Sequence, residues 1–149
     1  MSLIERVEKD LVGAMKAQEP LKLSVLRMMK AALTNKRIEL GKPLDHAAAI
    51  AVLRTLVKQR HDSVEAYRKG GRDDLADKEA AEIKIVEAYL PAAVSDEEIA
   101  AAVEAAIAET GAVGSKDLGK VIKAAMAKLV GKNADGKRVS ENVKAKLSA

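Results

Sequence analysis

The sequence predicts an all-α protein with two lobes, an N-terminal antiparallel helical lobe and a C-terminal three-helix bundle. Two observations carry this prediction. The apolar residues are Ala, Leu, Val, Ile and Met, with Tyr67 and Tyr89 as the only aromatic residues, a set that favours helices more than strands. These apolar residues also recur at helical spacing. A chain of 149 residues without cysteine can bury an apolar core without disulfides or cysteine-ligated zinc.

Four helices are expected in the first domain, residues 1–92. Ser2 is the predicted N-cap of a helix that reaches about Gln18, and a second helix runs from Leu21 to Leu40 and ends at Gly41. Two longer helices follow, His46 to Lys69 and a fourth that Pro91 ends. Gly70 and Gly71 lie between these two helices, because glycine can stop a helix in a left-handed conformation.

One ion pair is predicted inside this hairpin. Arg60 and Glu79 interrupt the apolar stripes of the third and fourth helices at similar distances from the glycine pair. A charge on a packing face is rarely left without a partner. We therefore expect Arg60 and Glu79 to form a structural pair with no catalytic role.

A second domain is predicted at residues 93–149. Pro91 and a short connector precede Ser95, which together with Glu98 has the spacing of a capping box. Three helices should follow, each marked by an apolar stripe. The stripes are Ile99, Val103 and Ile107 before Gly111; Leu118, Ile122, Met126 and Leu129 behind Ser115 as N-cap; and Val139, Val143 and Leu147 behind the turn at Asp135 and Gly136.

Charge is distributed unevenly along the chain. Residues 21–72 hold 12 basic against 4 acidic side chains, residues 73–110 hold 2 against 11, and residues 111–149 hold 9 against 3. Such asymmetry is informative about partners, since a basic face attracts polyanions. The candidate RNA-binding residues in the tail are Lys116, Lys120, Lys123, Lys128, Lys132, Lys137, Arg138 and Lys144. The alternative interpretation is a solvated basic face without a ligand.

Several long segments of the chain are recognisable in order: KQRHDSVEAYRKGGRDDLADKEAAEIKIVEAYLP, SDEEI, AIAETGA and KDLGKVIKAAMAKLVGKNADGKRVSENVK. They resemble the GatB/YqeY-domain family, specifically its free-standing YqeY-like proteins. The resemblance implies that the C-terminal lobe is similar to the tail of the GatB subunit of the tRNA-dependent amidotransferase. That enzyme converts misacylated Glu-tRNA(Gln) or Asp-tRNA(Asn) to the amide with glutamine as nitrogen donor, and its tail engages tRNA.

The same resemblance limits what the chain is expected to do alone. The ATP-using body of GatB has no counterpart in 149 residues that lack a phosphate-cradling glycine loop, and Gly70, Gly71 and Arg72 are interpreted as a hairpin turn. We expect no catalytic residue, and a carbon–nitrogen ligase label would be inherited by domain association. His46 and His61 are too far apart in sequence to indicate a metal site, so no metal or cofactor is expected.

The sequence therefore predicts a non-catalytic tRNA-binding accessory protein. Candidate partners are tRNA and either an amidotransferase or an aminoacyl-tRNA synthetase. The alternative is a protein–protein adaptor that docks a partner through the acidic helix from Glu97 to Glu109 and the N-terminal lobe, without direct RNA contact. With no export signal and no apolar span of 18 residues, the expected location is the cytoplasm and no membrane association is expected.

Overall fold

The computed structural model describes residues 1–148, which form seven α-helices and one 3₁₀ turn with no strand among them. The prediction of an all-α protein is confirmed. No helix in this described part is long and apolar enough to cross a membrane. The helices are α1 (Leu3–Lys16), α2 (Pro20–Leu40), α3 (His46–Lys69), α4 (Asp73–Glu87), α5 (Asp96–Thr110), α6 (Leu118–Lys128) and α7 (Gly136–Ser148), and the 3₁₀ turn is Ser115–Asp117.

The chain divides into two compact units, residues 1–91 and residues 92–149, with the division one residue before the predicted boundary. The first unit contains α1 to α4 and the second contains α5 to α7. In the first unit α1 packs on α2 and α3 packs on α4, and α2 contacts both helices of the second hairpin. Its core is formed by Leu3, Val7, Ala14, Val25, Leu26, Met29, Leu33, Ala49, Leu53, Val57, Ile83, Val86 and Tyr89.

The turn between α3 and α4 uses the predicted glycine pair, but only one of the two glycines is left-handed. Gly71 has a φ of 73°, whereas Gly70 has a φ of −84° that any residue can adopt. A Cβ atom added at Gly71 would meet no atom within 4 Å. The requirement for glycine at position 71 therefore comes from the backbone angle and not from crowding.

Arg60 forms a cross-helix cluster within this hairpin. Its Nε lies 3.8 Å from the Glu79 Oε2, the predicted partner, and 3.2 Å from the Glu82 Oε2. The side chains of Arg60, Glu79 and Glu82 are 15%, 24% and 13% exposed, and the guanidinium also contacts the Met28 sulfur. Sequence reasoning missed Glu82, although it lies three residues after Glu79 and therefore near the same face of α4.

Helix α4 ends at Glu87 and not at Pro91 as predicted. The backbone N–H groups of Tyr89 and Leu90 donate to the carbonyls three residues earlier, at 3.0 Å each, so the chain leaves the helix through a tight turn. Proline also disfavours the helical conformation for the residue before it, which accounts for an end upstream of Pro91. The turn directs the Tyr89 side chain into the core, where it is 6% exposed.

Tyr89 joins this turn to α1. Its hydroxyl donates a hydrogen bond to the Asp10 carboxylate, and the Arg6 guanidinium lies 4.4 Å from the centre of its ring. Arg6 also donates to the Ala88 carbonyl at 3.3 Å. Burial and the hydrogen bond to Asp10 raise the pKa of the Tyr89 hydroxyl well above its usual value. These contacts fix the first helix against the end of the fourth.

The complete capping box lies at the start of α1 and not at the start of α5. The Ser2 Oγ accepts from the Glu5 N–H and the Glu5 carboxylate accepts from the Ser2 N–H, each at 3.2 Å. At α5 the Ser95 Oγ accepts from the Glu98 N–H at 3.1 Å, which is half of the predicted box. The other half is missing because the Glu98 carboxylate pairs with Lys132 instead.

The second unit is a three-helix bundle around Val94, Ile99, Ala102, Val103, Ala106, Val121, Ala125, Leu129, Ala134, Val139 and Val143. The stripe predicted for α6 is displaced by one position. Val121 and Ala125 are fully buried, whereas the predicted Leu118, Ile122 and Met126 are partly buried. Ser115 does not cap α6 as predicted, because a 3₁₀ turn comes first and α6 starts at Leu118 without a side-chain cap.

Candidate nucleic-acid interface

The eight predicted RNA-binding residues do not form one group in the structure. Three of them are paired with acidic residues of α5: Lys128, Lys132 and Arg138. The other five have exposed side chains whose ammonium groups have no ion-pair partner within residues 1–148: Lys116, Lys120, Lys123, Lys137 and Lys144. We call these five residues the free lysine set.

The paired residues belong to a series of four ion pairs that we call the α5 ladder. Its members are Glu98 with Lys132, Glu109 with Lys128 at 2.6 Å, Asp96 with Arg138, and Glu104 with Lys146 at 2.7 Å. Arg138 also donates to the Val94 carbonyl at 3.0 Å. Lys146, which sequence reasoning did not include, is thus part of the same electrostatic system.

The ladder has two sides. Glu98 and Glu109, three turns apart on α5, pair with residues of α6 and of the turn after it. Asp96 and Glu104 pair with α7 from the other flank of α5. The buried residues of α5 lie between the two flanks, so acidic side chains border the apolar stripe on each side. Helical spacing alone places these acids beside the packing face, so their pairing with α6 and α7 could have been expected from the sequence.

Ion pairing lowers the pKa of one carboxyl group of the α5 ladder. The Lys146 ammonium donates to the Glu104 carboxylate and holds the pKa of that carboxyl below its usual value. The Lys146 ammonium is also 3.5 Å from the Ala100 carbonyl of the same helix, α5. Lys146 is therefore bound to α5 and is not available to a ligand without losing these contacts.

The free lysine set lies on the outer faces of α6 and α7. On α6, Lys120 and Lys123 are exposed while Val121 and Ala125 point into the core, and Lys116 extends this row into the preceding 3₁₀ turn. Lys120 and Lys123 are three positions apart and occupy one side of α6, and Lys116 lies four positions before Lys120 in the 3₁₀ turn.

On α7 the free lysines are on the flank that does not face α5. Lys137 and Lys144 are seven residues apart, which places them on one side of the helix. Arg138 and Lys146 define the flank that faces α5, because both pair with it. The free lysines of α6 and α7 therefore lie on surfaces that the ion pairs to α5 do not use.

The start of α7 does not present a set of free N–H groups to an anion. The helix begins at Gly136, and the Asp135 Oδ1 accepts from the Lys137 N–H at 2.9 Å. A carboxylate already occupies the position that a phosphate would need to reach these N–H groups. The free lysine set, and not the helix terminus, is therefore the candidate interface.

Most acidic residues of α5, the surface considered for protein docking, form ion pairs within the second unit. Of the five acidic residues of α5, Glu97 alone has no ion-pair partner in the described part of the chain. Within residues 1–148 there is also no group of three His, Asp or Glu residues placed to hold a metal ion. His46 and His61 are on the surface of α3.

Comparison with curated proteins finds relatives named "Altered inheritance of mitochondria protein 41, mitochondrial". The protein from Eremothecium gossypii is 38% identical over 71% of this chain and 60% of its own length. That from Kluyveromyces lactis is 39% identical over 63% and 53%, and that from Saccharomyces cerevisiae strain YJM789 is 34% identical over 58% and 48%. The chain thus spans about half the length of the curated relatives it matches.

The names of these relatives place them in mitochondria. This finding contradicts the cytoplasmic location expected from the sequence, and that prediction was wrong. It was based on the absence of an export signal and of a membrane helix, and such an absence does not distinguish one compartment from another.

The resemblance noted in the sequence extends over almost the whole chain, because a family described as Yqey-like protein matches residues 4–147. The match includes α1 to α7 and therefore both compact units. This protein belongs to the Yqey-like protein family.

Proposed function

We propose that the second unit binds the phosphate backbone of a folded RNA of the tRNA class, with the free lysine set as its contacts. The observation that carries the proposal is the row Lys116, Lys120 and Lys123, whose ammonium groups have no ion-pair partner within residues 1–148. Lysine ammonium groups bind phosphate oxygens as point charges and release counterions from the nucleic acid.

The composition of the second unit favours recognition of shape over recognition of bases. The two tyrosines of the protein lie in the first unit, so residues 92–149 offer no aromatic ring on which an unpaired base could stack. Folded RNA presents phosphates and 2′-hydroxyls in a regular geometry that side chains can contact without reading sequence. The expected ligand is therefore structured RNA, with little dependence on base identity.

The biological setting that we propose is accessory to tRNA-dependent amidation. The support is the resemblance of residues 93–149 to the tail of GatB, the part of that enzyme that engages tRNA. The chain would hold or present tRNA while an amidotransferase or an aminoacyl-tRNA synthetase performs the chemistry. An adaptor that binds a protein through α5 is the competing proposal, and it has less support because four acids of α5 are already paired.

The proposal is tested by the salt dependence of binding to total tRNA with the full chain. The Lys120→Gln/Lys123→Gln variant should bind more weakly and flatten the plot of log affinity against log salt by about 2 units, about one per lysine. The matched control is Lys78→Gln/Lys84→Gln, which removes two exposed lysines of α4 in the first unit and should leave the slope unchanged. Equal slopes for both variants would reject the interface.

Nuclease treatment separates the two proposals. The chain is recovered from lysate with its bound partners, with and without ribonuclease. Loss of the partners after ribonuclease is the expected result. Protein partners that survive ribonuclease and are lost in the Glu97→Gln variant would support the adaptor instead, since Glu97 is the α5 acid without an ion-pair partner in the described chain.

A further inference from the structure

The α5 ladder places acidic groups against the cations that flank the free lysine set. Lys128 and Lys132 follow Lys120 and Lys123 along the chain, and both have partially exposed side chains. In the absence of Glu98 and Glu109 these two ammonium groups would be exposed and positioned to extend the positive surface. Glu109 holds Lys128 at the end of α6, and Glu98 holds Lys132 in the turn that follows α6.

We infer that α5 acts as an internal competitor for the polyanion, with Glu98 and Glu109 occupying cations that phosphates would otherwise contact. This inference rests on the proposed function and adds its regulation. The competition limits the number of phosphate contacts to those of the free lysine set, so RNA remains bound weakly enough to be released. A modification or a partner that neutralises the acidic face of α5 would strengthen RNA binding.

The weakness and the solvent exposure of these ion pairs are consistent with this competition. Ion pairs between exposed side chains contribute little to stability, so replacing one of these acids should free its lysine without unfolding the unit. The Lys128–Glu109 pair has side chains that are 36% and 62% exposed, and the Lys132–Glu98 pair is 50% and 42% exposed. Neither pair is shielded from solvent, and neither is part of the apolar core.

The decisive comparison uses two adjacent acids of α5. Glu98→Gln releases Lys132, whereas Glu97→Gln removes the same charge one residue away without releasing a cation. For binding to total tRNA, Glu98→Gln should steepen the log–log salt slope by about 0.7–0.9 and raise affinity about two- to fivefold at low salt. Glu97→Gln should raise affinity less and leave the slope unchanged.

A double variant excludes a simple effect of net charge. Glu98→Gln/Lys132→Gln has the net charge of the wild type and lacks the cation that Glu98 holds. Its slope should return to the wild-type value. Equal slopes for Glu97→Gln and Glu98→Gln, or a steep slope that persists in the double variant, would overturn the inference. Circular dichroism of each variant confirms that the helices are retained.

The same variants on a heparin column separate failure of this inference from failure of the proposed function. Heparin is a polyanion without base or RNA geometry, and the salt concentration at elution reports the number of available cations. If the wild type does not bind tRNA but Glu98→Gln elutes later than Glu97→Gln, the RNA proposal fails and the internal competition holds. If the wild type binds tRNA and both variants elute together, the competition is wrong and the RNA proposal stands.

Discussion

Both units contain ion pairs between helices, but the pairs differ in how far they are exposed to solvent. In the first unit Arg60 contacts Glu79 and Glu82 with all three side chains largely buried. In the second unit the α5 ladder is exposed, as in the Arg138–Asp96 pair with side chains 37% and 88% exposed. A charge shielded from solvent is expensive to leave unpaired, whereas an exposed pair contributes little to stability. The comparison teaches that the Arg60 cluster contributes to the stability of its unit, whereas the exposed pairs of the α5 ladder contribute little.

The largest effect is expected from breaking the partly buried Arg60 cluster. Arg60→Met keeps an unbranched apolar stem but leaves Glu79 and Glu82 without their cation. We expect the free energy of unfolding to fall by about 2–3 kcal/mol, below the range for a fully buried pair because the acids retain some exposure. Urea unfolding of the full chain, followed by circular dichroism, measures this change.

The matched control lies in the same hairpin. Arg68→Met removes an exposed arginine of α3 that pairs with Asp73 and Asp77 of α4. Its cost should be under about 1 kcal/mol, because exposed pairs contribute little. Equal losses for Arg60→Met and Arg68→Met would show that burial does not distinguish the pairs, and the contrast between the units would lose its physical basis.

An intermediate effect is expected at Tyr89. Tyr89→Phe removes the hydrogen bond to Asp10 while keeping the ring beneath Arg6, and should lower the free energy of unfolding by about 1–2 kcal/mol at neutral pH. The pKa of the Tyr89 hydroxyl is raised in the folded protein, so its contribution is present below the usual pKa of 10.0 and is lost as pH rises above it. The wild type should therefore lose stability above pH 10 more steeply than the variant.

Unfolding across pH 8–11 measures this difference, with Tyr67→Phe as the control. Tyr67 lies on α3 and is only half-buried. Parallel alkaline curves for the wild type and Tyr89→Phe would mean that the hydrogen bond to Asp10 does not contribute to the fold.

The smallest effect is expected in the α5 ladder. The Lys146 ammonium holds the pKa of Glu104 below its usual 4.5, so the stabilising contribution of this pair is present above that pH and lost as pH falls through the lower folded value. The Glu104→Gln variant should unfold like the wild type at pH 7 within error, and should lose less stability than the wild type below pH 4.5. Thermal unfolding between pH 3 and 7 measures this. A large loss at pH 7 would make the ladder a structural element like the Arg60 cluster.

Most of the fold was predictable because its helix boundaries depend on local chemistry. Gly41 and Gly111 end their helices in the left-handed conformation, as the sequence indicated, and Ser2 caps the first helix. The end of α4 was placed too late because Pro91 was taken as the stop, whereas proline already disfavours the helical conformation for the residue before it. The contact of Tyr89 with Asp10, which is 79 residues earlier in the chain, was not predictable from a pattern confined to one helix.

The candidate site was predictable in part, for the same reason. The row Lys116, Lys120 and Lys123 follows from helical spacing, and the structure leaves it exposed and unpaired within residues 1–148. To predict that Lys128, Lys132 and Arg138 pair with acidic residues of α5, one must know how the three helices pack. The acidic residues on both sides of the apolar stripe of α5 indicate that packing. A count of charges by segment does not show on which side of a helix each charge lies.

The central claim is that the free lysine set binds folded RNA through phosphates. The most direct test is the slope of log affinity against log salt for wild-type protein and total tRNA. Five lysines at about 0.7–0.9 per contact predict a slope of about −4, with loss of about one unit for each lysine of the set replaced by glutamine. Binding that is independent of salt, or a slope that does not change in the Lys120→Gln/Lys123→Gln variant, would contradict the account.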